Sequence, residues 1–135
     1  MKRNPVLAIA SLLSILLMSL HLADDIVRGM EPGGVADLVA VPVLVAWLYG
    51  TLVLAERRSG VVIIVLGSLL ALAVPLVHFQ NAGGVAGGRV AGSSGALFFV
   101  WTQIALGVTA LFSLVLGLRE LWRAGRGRGA GGPTA

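Results

Sequence analysis

From Val61 to Val77 the chain reads VVIIVLGSLLALAVPLV, without one charged side chain. A run of that kind leaves few folds open. An α-helix satisfies its backbone donors and acceptors internally, and about 20 apolar residues of helix cross the roughly 30 Å hydrocarbon core of a bilayer. Three other stretches are comparable, and four spans are predicted at about 5–23, 35–55, 60–79 and 96–122. The runs are long and continuous, which argues against the alternating ten-residue segments of a membrane barrel. With 57% hydrophobic and 12% charged residues, against about 25% charged in an average soluble domain, the chain has too few charges to cover such runs in water.

The first run follows Lys2 and Arg3, as a signal peptide would, but no A-x-A-like site closes it. Cleavage after Ala23 would put His21 at the minus-three position, which wants a small residue, so an uncleaved span is expected. Lys2, Arg3, Arg57, Arg58, Arg119, Arg123, Arg126 and Arg128 then fall on one side, with Arg28 and Arg89 on the other. The excess of basic residues marks the cytoplasmic side, so both termini are expected there. The turn ERRSG, residues 56–60, is long enough only to return the chain, which makes spans two and three a helical hairpin. Trp101 and Trp122 suit the two aromatic belts, whereas Trp47 lies deeper and is expected to pack between helices.

The fold class is therefore an all-α integral membrane protein, four transmembrane helices in an up-down antiparallel bundle over residues 1–122. Residues 123–135, rich in Gly and Arg, are expected to form a disordered basic cytoplasmic tail near anionic headgroups. Heavy use of Ala, Gly and Val, and of Arg over Lys, points to a bacterial plasma (inner) membrane. Size and span count resemble the small multidrug resistance carriers, whose first helix carries a membrane-embedded glutamate. Span one has no such residue, so the resemblance covers architecture alone. Small residues in span four, Ala105, Thr109 and Ser113 on one line and Ala110, Leu114 and Gly117 on the next, are expected to form helix seams and make a homo-oligomer or a larger membrane complex plausible.

Absence of cysteine excludes thiolate metal sites, disulfides and cysteine nucleophiles. The net charge of +4 does not imply nucleic acid, because the arginines lie beside the ends of apolar runs and no basic stripe is interleaved with aromatic stacking residues. The Gly-rich stretch NAGGVAGGRVAGSSGA, residues 81–96, has no G-x-x-x-x-G-K-[ST] and reads as a connector. No G-x-S-x-G occurs, and no catalytic residue is assigned.

What chemistry there is lies toward the outer side. His21, Asp24, Asp25 and Arg28 stand at i, i+3, i+4 and i+7, along one helix face. Completed by His78 from span three, His21, Asp24 and Asp25 read as a divalent metal site; the simpler alternative is that an aspartate pairs with Arg28 as the helix leaves the membrane. Asp37 and Gln103 are further polar candidates at that level. Pro42 and Pro75, each depriving its helix of a hydrogen bond, are expected to widen the outer half, unless neighbours satisfy the freed carbonyls. GGVA recurs at residues 33–36 and 83–86; tandem hairpins would give the two histidines corresponding positions, but in a chain with 19 glycines chance recurrence is the simpler reading.

The functional expectation is a non-enzymatic accessory or assembly subunit with an outward-facing His/Asp cluster for a cation. The alternatives are a small proton- or metal-coupled carrier, and a metal-dependent membrane enzyme or bis-histidine haem protein. A divalent metal ion ranks ahead of haem as cofactor. All the metal readings require His21 and His78 to meet.

Overall fold

A computed structural model describes residues 4–30, 33–80, 92 and 94–129, with the side chains of residues 36, 37, 79, 80 and 127–129 excepted. Among the described residues the secondary structure is helical throughout. It consists of α1 (Pro5–Val27), a short 3-10 helix (Val35–Val39), α2 (Ala40–Leu52), α3 (Arg58–Gln80) and α4 (Ala96–Gly129). Three of these helices, α1, α3 and α4, are long and apolar enough to cross a membrane, and α2 is apolar but shorter.

Local chemistry sets the helix ends. Asn4 caps α1, its side chain accepting from the Leu7 amide at 3.2 Å, and Pro5 occupies the first turn, where no donor is needed. The helix does not stop at Ala23 but runs on to Val27, and Gly29 (φ 67°) terminates it in the left-handed conformation. Met30 N donates to Asp25 O and Gly29 N to Ile26 O, the paired bonds of a Schellman cap. Asp24 and Asp25 consequently lie within regular helix, where their directions are fixed.

Span two differs from the single helix expected over 35–55. A 3-10 turn leads into thirteen residues of α-helix, and Pro42 sits in the first α turn. There its missing N–H breaks no α-helical bond, and the tighter winding just before it relieves the clash of its ring with the preceding turn. Pro42 is thus a helix-start residue, whereas Pro75 is interior to α3. Residues 123–129, read from sequence as the start of the tail, continue α4; residues 130–135 lie outside the described residues.

The helices neighbour one another in chain order, and α4 closes the ring against α1. Asn4 Nδ2 donates to Glu120 Oε1 (3.0 Å) at one end of that pair and Gln103 meets His21 near the other, so α1 and α4 are antiparallel. Packing is most extensive between α3 and α4 and sparse between α1 and α2; α1 touches α3 across the ring, while α2 and α4 do not meet. The ring is thereby drawn in along the α1–α3 diagonal and left loose at the α1–α2 side.

The bundle is apolar on its surface as well as in its core, and hydroxyl and amide side chains are buried among the core's apolar ones. Val6, Ile9, Leu13, Leu16 and Leu20 form an exposed stripe along α1, and Trp101, Ile104, Val108, Leu111 and Val115 do the same on α4. Ser11, Ser14, Thr51, Ser68, Gln103 and Ser113 are inside. Trp47 is buried against Gly67, where any side chain would collide with the indole. Its Nε1–H donates to Ser11 Oγ (2.9 Å), which lies 2.8 Å from Thr51 Oγ1, and Thr51 Oγ1 donates to the Trp47 carbonyl (2.9 Å). Thr51 has used its proton, so Ser11 is the donor between the two hydroxyls, and the three residues close a hydrogen-bonded cycle joining α1 to α2. On α4 the buried seam is Phe99, Leu106, Ala110, Ser113 and Gly117; Ala105 and Thr109, on the neighbouring line, are half-buried.

Candidate metal centre

Asp25 is one helical turn beyond His21 on α1, and His78 lies near the end of α3, at the same end of the bundle. Asp25 Oδ2 stands 3.1 Å from His21 Nε2 and 3.4 Å from His78 Nε2. One potential ligand atom from each of the three residues can be chosen so that none is more than 4.8 Å from another. The imidazoles meet edge to face, centroids 4.9 Å apart with planes at 88°. His21 and Asp25 are buried; the His78 side chain keeps 22% exposure.

The helical strip read from sequence divides in two. Consecutive residues on an α-helix point about 100° apart, so Asp24 and Asp25 serve different neighbours. Asp25 turns inward to the histidines, whereas Asp24 Oδ2 holds Arg28 Nε at 2.7 Å. Arg28 also donates to the Gly95 carbonyl (2.8 Å) and lies over the Phe99 ring, 5.3 Å from its centroid. The ion pair of the simpler alternative and the His/Asp cluster thus coexist, each with its own aspartate. The Asp37 side chain lies outside the described residues, as do residues 81–91 with Arg89 and the second GGVA.

Phe99 and Gln103, one turn apart on α4, form the wall behind the cluster. Phe99 meets His78 at 5.5 Å and 88° and His21 at 5.8 Å. It was not legible as a site residue; its one signal was the four-residue spacing from Gln103. Gln103 Nε2 is 3.2 Å from both ring nitrogens of His21, and Gln103 Oε1 is buried without a hydrogen-bond partner among the described residues, as is Asp25 Oδ1. The amide can therefore serve two states of the imidazole. Its N–H suits Nδ1 when His21 carries its proton on Nε2, and after rotation its Oε1 suits an Nδ1–H when Nε2 binds an ion.

Two imidazoles and a carboxylate are a donor set for divalent transition metals such as zinc. Bonds of about 2.0 to 2.2 Å at a tetrahedral angle put neighbouring ligand atoms about 3.4 Å apart, close to both His–Asp separations here. A bis-histidine haem does not fit. Two nitrogens in line across an iron, with bonds of about 2 Å, would hold ring centroids about 6 Å apart with a porphyrin between them, whereas here the rings are 4.9 Å apart and share a carboxylate oxygen.

In front of the cluster, on the loosely packed α1–α2 side, lies a groove of about 270 Å³ between α1, α2 and α3. His21, Asp25 and His78 form one end of it, and Leu22, Val43, Leu44 and Val74 are among its apolar walls. Comparison with protein-family models, with curated proteins and with solved structures finds no match for this chain, so the cluster's own geometry carries its interpretation.

Proposed function

We propose that this chain is a multi-pass protein of a bacterial plasma membrane, a non-enzymatic accessory or assembly subunit, whose His21, Asp25 and His78 hold a divalent transition-metal ion near the outer surface. The observation that carries the reading is the convergence of three ligand atoms from α1 and α3, none more than 4.8 Å from another. His78 supplies the adjustment needed to close on an ion, since it is the least buried of the three.

Insertion with all four helices spanning is supported by the exposed apolar stripes, which lipid solvates and water does not. Trp101 and Trp122, both exposed, are twenty-one residues apart on α4, about 31 Å of helix and close to the thickness of a hydrocarbon core. The cluster packs against Phe99 and Gln103, which flank Trp101 in α4, and this supports a site at the level of one boundary. Arg57, Arg58, Arg119, Arg123 and Arg126 are at the Asn4 end, which supports cytoplasmic termini.

Metal titration of the purified full chain in nanodiscs tests the reading. One equivalent of Zn²⁺ or Co²⁺ is expected for the native chain, with loss in His21→Ala and in His78→Ala. Retention of a full equivalent by both variants would overturn it. A metal-coupled carrier is the second reading, favoured by the groove that leads from the cluster toward Trp47; it requires metal flux in liposomes, which an accessory subunit lacks.

A further inference from the structure

The cluster is closed on the α4 side, where Phe99 stands against both imidazoles and Gln103 covers His21. Its opposite side is the groove, and all three ligand residues line it. Three protein ligands leave a divalent transition metal at least one position short of a complete sphere, and here the free direction is the groove.

We infer that the ion's remaining position takes a monoanionic amphiphile, a single-chain carboxylate whose head completes the coordination and whose aliphatic body lies in the groove. The inference rests on the metal reading above. Charge selects the head: two neutral imidazoles and one carboxylate leave a divalent ion with one uncompensated positive charge, in surroundings where such a charge is costly, and a single carboxylate cancels it. The walls select the body. Beyond the cluster, the described residues lining the groove are apolar, Leu22, Ala40, Val43, Leu44 and Val74 among them, and the one donor on a wall, Trp47 Nε1–H, is already committed to Ser11. Volume selects the size. About 270 Å³ is at or below the lower end of small-molecule sites, room for one short chain rather than the two long chains of a phospholipid.

The full chain in phosphatidylcholine nanodiscs, loaded with Co²⁺, reports its coordination through the visible absorption of the ion. Octanoate is expected to shift the spectrum at a concentration about ten-fold or more below that needed for acetate, the gain from burying as few as two methylenes. Ala40→Phe fills the groove and leaves the three ligands untouched; it is expected to weaken the octanoate response about ten-fold and spare the acetate response. Val43→Trp repeats the test from the next turn of α2. Bound Co²⁺ that responds to neither anion, or an octanoate response unchanged in both variants, overturns the inference and leaves the metal reading standing. Failure of the native chain to bind Co²⁺ removes both. A spectrum already shifted in phosphatidylglycerol nanodiscs and insensitive to octanoate assigns the position to a phospholipid head and overturns the carboxylate.

Discussion

The imidazole of His78 meets that of His21 edge to face, at a centroid distance of 4.9 Å, although fifty-seven residues separate them in the chain. Their meeting depends on the contact between α1 and α3 across the ring, and it turns Asp25 from one of two adjacent carboxylates into the one both histidines share.

The two aspartates should therefore separate cleanly in metal binding. Asp25→Asn is expected to lower Co²⁺ affinity by at least about 100-fold, the upper end of what loss of a mere supporting partner costs. Asp24→Asn should leave the affinity within a few-fold of native and loosen only the Arg28 attachment. Equilibrium dialysis of the two variants side by side checks this; equal losses would contradict the division of the strip.

Gln103→Leu removes the amide that faces His21 and nearly preserves the volume. Metal stoichiometry should stay at one and affinity should fall about 10- to 100-fold, as for other groups that orient a metal-bound imidazole. Gln103→Glu, which keeps an acceptor for Nδ1–H, should recover part of the loss.

Phe99 is buried against both rings, and Phe99→Ala opens a cavity behind them. A cost of about 3 kcal/mol is expected, with lowered metal affinity as the rings lose their backing. Phe99→Leu should restore most of the stability. Thermal unfolding in detergent, with and without metal, measures both effects.

The indole of Trp47 and the missing side chain of Gly67 form a single packing unit. Gly67→Ala should destabilise the native chain strongly and a Trp47→Leu chain much less. The Trp47–Ser11 bond, tested with Trp47→Phe and Ser11→Ala, should give a coupling of about 1 kcal/mol, within the range measured for hydrogen bonds between membrane helices. Simple additivity would argue against the bond.

The helices were legible from composition and run length, and so was the tight return near ERRSG, because a long uncharged run has few ways to hide its backbone. The helical face from His21 to Arg28 was legible from its spacing, whereas the Schellman cap that Gly29 forms was not, because a lone glycine does not mark a helix end. Pro42 stands in the first turn of its α-helix, where a kink in the outer half of span two was the expectation; the effect of a proline depends on where the helix begins, which the uninterrupted apolar pattern does not mark. The inward direction of Asp25 rather than Asp24 was out of reach: both are spaced to meet His21, and only the rotation of α1 against α3 and α4 chooses between them. Phe99 was hidden for a similar reason, since in a chain this apolar an aromatic ring facing a site looks like one facing lipid.

The hydrogen bond between Asn4 and Glu120 has a consequence for engineering. It brings the first turn of the first helix beside the last helix, so the bundle is entered and left at one point. A circular permutant that joins α4 to α1 through a flexible linker and opens the chain between α2 and α3 would retain every helix pairing. Because the linker would sit at the end remote from His21 and His78, such a permutant should bind metal as the parent does.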